Sequence, residues 1–126
     1  MNKDNIILNK SVAFALRIIK LNKYLCEEKH EFIMSKQLFR CGTSIGANVS
    51  ESIRAQSRAD FFSKLNIALK EAEETHYWLY LLSESSFLNA QQYQSLDDDC
   101  EEIIKLLVSI TKNQKDDSYN SFLSFR

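Results

Sequence analysis

Arg40-Cys41-Gly42-Thr43-Ser44-Ile45-Gly46-Ala47-Asn48-Val49-Ser50-Glu51 holds the only two glycines of the chain, and the chain has no proline. The residues on either side continue an apolar repeat at three-to-four spacing, so the stretch reads as the middle of a helix. A glycine inside a helix costs about 1 kcal/mol relative to alanine, so two of them four residues apart call for a compensating contact. On a wheel of about 100° per residue, Leu38, Phe39, Cys41, Ile45, Val49 and Ile53 share one apolar arc, and Gly42 and Gly46 fall inside it. The two glycines are therefore expected to admit a neighbouring helix at short range, as close-packing positions and not as hinges. That reading makes the protein all-α.

The same periodicity predicts three more helices. The first runs over about 4–28, with Ile7, Phe14, Ile18, Leu21 and Leu25 as its seam and Leu8, Val12, Leu16 and Ile19 widening it. The glycine helix is expected over 35–56, with Ser35 as its N-cap. Ser57-Arg58-Ala59-Asp60 has the form of a capping box and restarts the chain as a helix over 58–84, with Phe61, Leu65, Ala68, Ala72, Leu79 and Leu82 inward. Asn89 with Gln92 caps a fourth helix over 90–113, whose seam is Tyr93, Leu96, Cys100, Ile103, Leu107 and Ile110. Asp97-Asp98-Asp99 falls in its first half, where exposed negative charge is tolerated. Short connections make neighbours antiparallel, so residues 1–113 are predicted to form an up-down-up-down four-helix bundle. Residues 114–126 form a polar tail that carries Tyr119, Phe122, Leu123 and Phe125.

At 126 residues, 44% of them apolar and 26% charged, the chain is long enough to bury a core as one domain. No apolar run approaches about 18 residues, so neither a membrane span nor a membrane partner is expected, and the cytoplasm is the expected location. Cys26, Cys41 and Cys100 are odd in number and far apart, which suits free thiols. The net charge of −1 hides a division: residues 1–70 carry twelve Lys/Arg against six Asp/Glu, and residues 71–126 carry four against eleven. Oppositely charged helices can attract one another within the bundle, or the basic part can serve phosphates or an acidic neighbour.

Across the glycine helix from the apolar arc lie Lys36, Arg40 and Arg54, interleaved with Thr43, Ala47 and Ser50, and Arg58 follows just beyond. This basic, low-profile face is the candidate nucleic-acid surface, and it suits self-association equally. Arg40, Ser44 and Asn48 form a polar ladder beside the arc, with Glu51 further along; Glu71 and Glu74 on the third helix are its expected partners in a structural network. Both histidines follow a glutamate by three residues, Glu27 to His30 and Glu73 to His76. In a bundle that spacing is half of a di-metal carboxylate site, but His30 falls at or past the end of the first helix and His76 near the middle of the third. Surface histidines are the simpler reading. No catalytic residues, cofactor or metal are expected. Tyr77-Trp78 with Tyr80 reads as core plus subunit interface before it reads as a base-stacking platform.

Ser35-Lys36-Gln37-Leu38-Phe39-Arg40, then Ser44-Ile45, Asn48-Val49 and Glu51, followed by Asp60-Phe61, Leu65, Ile67-Ala68 and Glu71 to Leu79, resemble the family encoded in intervening sequences of bacterial 23S rRNA genes, the so-called S23 ribosomal proteins. The resemblance covers nearly the whole chain and is most specific from Gln37 to Leu82. It implies an antiparallel four-helix bundle. Members resembling the accessory proteins of diversity-generating retroelements imply a homopentamer whose basic surface engages RNA or single-stranded DNA and a reverse transcriptase. The motif positions at issue here are Arg40, Ser44, Asn48 and Glu51, with Lys36 and Arg54 close by. Those accessory proteins are strongly basic and this chain is not, and Cys41 stands where Ser or Ala is more usual. The expected function is a non-enzymatic, self-assembling factor associated with RNA or nucleoprotein. The alternative is a protein–protein adaptor without nucleic-acid affinity, with a di-metal enzyme a distant third.

Overall fold

The computed structural model describes residues 5–112, which form α1 (Ile6–Glu27), α2 (Met34–Ile53), α3 (Arg58–Glu84) and α4 (Ala90–Lys112). The segment 114–126, with its four large apolar side chains, lies outside the described residues, as do Asp4 and Asn113. Loops 28–33, 54–57 and 85–89 reverse the chain each time, giving the up-down-up-down order. Each helix packs on the next, and α1 also meets α4 to close the bundle along its thinnest seam.

The helices start where side chains satisfy their first backbone donors. The Asn5 carboxamide oxygen accepts from the Leu8 amide at 3.1 Å, and Ser57 Oγ accepts from the Asp60 amide at 3.0 Å. Asn89 and Gln92 exchange bonds reciprocally, each side-chain oxygen accepting from the other's amide at 2.8 and 2.9 Å.

Ser35 is a correction. It lies inside the first turn of α2, and the N-cap position is Ile33, in helical backbone with no side-chain cap bond of its own. The cap comes from Glu31, whose carboxylate accepts from the amides of Ile33 at 3.1 Å, Met34 at 3.0 Å and Ser35 at 2.7 Å. The Ser35 hydroxyl instead turns back and donates to the Glu31 carbonyl at 2.8 Å. A buried glutamate three residues ahead of the helix thus answers three backbone donors at once.

The inward seams meet in one core, in which Phe14, Ile18, Leu25, Ile45, Phe61, Leu65, Leu79 and Leu107 are almost wholly removed from water. Two residues assigned inward from periodicity sit elsewhere: Leu16 is 57% exposed and Phe39 is 40% exposed at the edge of the α2 arc. Both glycines face α1. A Cβ on Gly42 would stand 2.8 Å from Ile18 Cγ1, and one on Gly46 would stand 3.4 Å from the Ser11 carbonyl oxygen. The α1–α2 contact is therefore built on missing side-chain atoms, most stringently at Gly42.

Charge closes the remaining seam. Lys10 pairs with Glu102 at 2.5 Å, and Arg17 pairs with Asp99 at 2.7 Å. Arg17 also donates to the carbonyl and hydroxyl of Ser95 at 3.2 and 3.0 Å. Part of the basic first half is thus spent on the acidic fourth helix. Each such exposed pair contributes only about 0–1 kcal/mol, so these contacts select the neighbour of α1 more than they stabilise it.

Candidate functional site

Arg40 projects from α2 toward α3, where its guanidinium donates to Glu71 at 3.2 Å and also to Glu74. The Trp78 indole N–H donates to the same Glu74 carboxylate at 3.0 Å. These two donors, Arg40 first, hold the Glu74 carboxyl below its ordinary value of 4.5. Its folded pKa being the lower one, Glu74 contributes stability that is complete above pH 4.5 and fades as pH falls through the depressed value. Thermal melts stepped downward from pH 6 should therefore show a decline that Glu74→Gln makes shallower.

Ser44 and Asn48 do not extend this network to α3. The Asn48 amide donates to the Ser44 hydroxyl at 3.1 Å and to the Ser44 carbonyl at 2.9 Å, a local bond within α2. Glu51 is exposed near the end of the helix, beside a shallow surface pocket it shares with Ser50, Arg54, Gln56, Asp60 and Lys64.

The basic residues singled out from the sequence do not converge. Lys36 and Arg54 stand at opposite ends of α2, about 27 Å apart at 1.5 Å per residue. Arg40, between them, is engaged by two carboxylates. At the α2–α3 corner, however, Arg54 and Lys64 line one pocket, and the Arg58 guanidinium lies 5.1 Å from the centre of the Phe62 ring. The sequence reading missed Lys64. Its position one turn beyond Asp60, across a tight corner from Arg54, was the available signal.

Cys41 and Cys100 are poor nucleophiles. Burial pushes Cys41 up to about 11, and it drives Cys100 further in the same direction. Cys41 receives a bond from the Thr75 hydroxyl at 3.3 Å, and Cys100 donates to the Ala72 carbonyl at 3.3 Å. Cys26 is half-buried. A disulfide reagent added to native protein should label Cys26 first and reach Cys41 and Cys100 only on unfolding, as read by mass spectrometry of the labelled peptides.

The histidines separate as well. His30 occupies the loop after α1 with φ of 52°, away from any helix. His76 does not use Glu73, which is exposed; its Nδ1 faces α4, 2.6 Å from Asp97 Oδ1 and 3.4 Å from Glu101 Oε1. Asp97, in the acidic run read as favourable there or tolerated if exposed, is only 8% exposed. It is buried because it sits on the α3-facing side of α4 with a partner opposite.

Residues 3–109 match the family described as 23S rRNA-intervening sequence protein. The chain belongs to that family. A solved structure agrees: a protein of unknown function from the S23 ribosomal protein family of Bacteroides thetaiotaomicron VPI-5482 is 57% identical, with a TM-score of 0.83. That similarity covers 84% of this chain and 98% of the other. No curated protein matches. No helix among the described residues is long and apolar enough to cross a membrane.

Proposed function

We propose that this family member works by assembly and binding: copies of the bundle associate through the outer face of α3, and the α2–α3 corner contacts RNA phosphates. The observation that carries the assembly is the exposure of Ile67, Tyr77 and Tyr80, at 39%, 53% and 48%, on the solvent side of α3. Large rings half in water are suited to a protein partner, and a second copy of this chain is the partner the family resemblance implies, in a homopentamer. The RNA contact rests on the grouping of Arg54 and Lys64, which line one pocket at the corner, with the Arg58 guanidinium over the Phe62 ring close by in sequence. A non-enzymatic role is supported by the buried, raised thiols and by the engagement of Arg40 with two carboxylates. A reverse transcriptase is a further proposed partner, by resemblance alone.

Light scattering on the purified protein should give a mass several times that of one chain, and Tyr77→Ser with Tyr80→Ser should lower it. Monomer at micromolar concentration removes the assembly reading. RNA affinity should fall steeply with salt, and Arg54→Ala, Arg58→Ala and Lys64→Ala together should reduce the slope by up to about 0.7 for each phosphate that is no longer neutralised. Assembly without RNA binding at low salt would leave the adaptor reading.

A further inference from the structure

We propose that His76, Asp97 and Glu101 form a transition-metal site that clamps α3 to α4, with Zn²⁺ as its test ion. Asp97 and Glu101 are four residues apart on α4 and so lie on one face of that helix. His76 meets them from α3, and one donor atom from each residue lies within 4.8 Å of the other two. Among the described residues, the ion pairs of both carboxylates are with His76. The neighbouring acids are committed elsewhere: Asp99 to Arg17, Glu102 to Lys10, and Asp98 accepts from Gln94. Two carboxylates thus share one imidazole, which leaves an excess of negative charge at a partly dry seam.

A dication answers that excess better than a single proton does. Zinc bonds to imidazole nitrogen and carboxylate oxygen at about 2.0–2.2 Å, which puts tetrahedral donor atoms roughly 3.4 Å apart. The His76–Glu101 separation of 3.4 Å already has that value. The His76–Asp97 pair at 2.6 Å is a hydrogen bond, so loading replaces its proton with the ion and opens the pair by about 1 Å or less. A nitrogen donor favours a first-row transition ion over Mg²⁺ or Ca²⁺. Three protein ligands on a half-exposed seam leave the remaining positions to water. The ion would bridge α3 and α4, helices adjacent in sequence, as a clamp between them.

The test is a competition titration of Zn²⁺ into metal-stripped full-length protein with a chromophoric chelator. One ion per chain is expected at micromolar affinity, weakened about tenfold or more by His76→Gln, Asp97→Asn or Glu101→Gln. Circular dichroism establishes that each variant remains helical. Unmutated protein supplies a second readout that does not depend on variant folding: Co²⁺ should give a visible spectrum of nitrogen and oxygen donors, and Zn²⁺ should shift the His76 ring resonances. The proposal is overturned by absence of micromolar binding, by binding that His76→Gln leaves unchanged, or by a thiolate charge-transfer band that disappears in Cys26→Ser.

Discussion

Gly42→Leu is expected to destabilise the bundle by about 3 kcal/mol, the upper end of the usual overpacking range. The first added carbon meets Ile18 Cγ1 at 2.8 Å, Cγ2 at 3.0 Å and Cδ1 at 3.2 Å, and Ile18 is fully buried. A β-branched side chain in a helix has one strongly preferred rotamer, so Ile18 has nowhere to turn and the α1–α2 spacing must widen. Gly42→Ala separates the two effects. It gains about 1 kcal/mol of helix propensity yet meets the same three atoms, and a net loss of about 1 kcal/mol is expected. Gly46→Ala makes only near-ordinary contact with Ser11, at 3.4 Å from its carbonyl oxygen, and should be neutral or slightly stabilising. Urea unfolding at 25 °C reads all three. Gly42→Ala proving as stable as Gly46→Ala would refute the close-approach account.

Glu31→Ala is the second large effect, at about 2–3 kcal/mol. The carboxylate accepts three backbone amides at the start of α2, at 2.7, 3.0 and 3.1 Å, while only 8% of the residue is exposed. Loss of a helix cap costs about 0.5–2 kcal/mol, and charged acceptors raise the value of each bond. Glu31→Gln keeps one acceptor oxygen and should lose about half as much. Ser35→Ala removes only the hydroxyl bond to the Glu31 carbonyl, worth about 1 kcal/mol. Equal losses from Ser35→Ala and Glu31→Ala in denaturant unfolding would restore Ser35 as the effective cap.

The contrast between these two sites explains how far the sequence could be read. Gly42 announces itself: helix propensity makes an interior glycine conspicuous, and the wheel places it inward. Ser57 with Asp60 and Asn89 with Gln92 announce themselves too, since a capping box is a contact between residues three apart. Glu31 does not. It caps from the loop, two residues before the N-cap position Ile33, and Ser35 offered a better local match to the preferred cap residues. Phe39 and Leu16 fell on the wrong side because hydrophobicity reports a preference for burial and not whether a neighbour is present at that height.

The same limit governs the candidate sites. Arg40, Glu71 and Glu74 were legible as complementary charges on adjacent helices, and the guanidinium lies between the two carboxylates. That pairing also removes Arg40 from the basic face to which composition assigned it. Lys36 and Arg54 share a face on a wheel, which has no axial coordinate, and the length of α2 separates them. Glu73-x-x-His76 looked like a motif, yet the carboxylates near His76 come from α4.

Four amphipathic helices, the caps of α3 and α4, and two positions where a side chain is disfavoured were readable along the chain, because each is set by contacts within a few residues. Which charges cancel, which aspartate is buried, and the meeting of Lys64 with Arg54 at a corner emerged from the packed helices. Those outcomes depend on the relative height and rotation of packed helices, and a repeat of 3.6 residues carries no record of either.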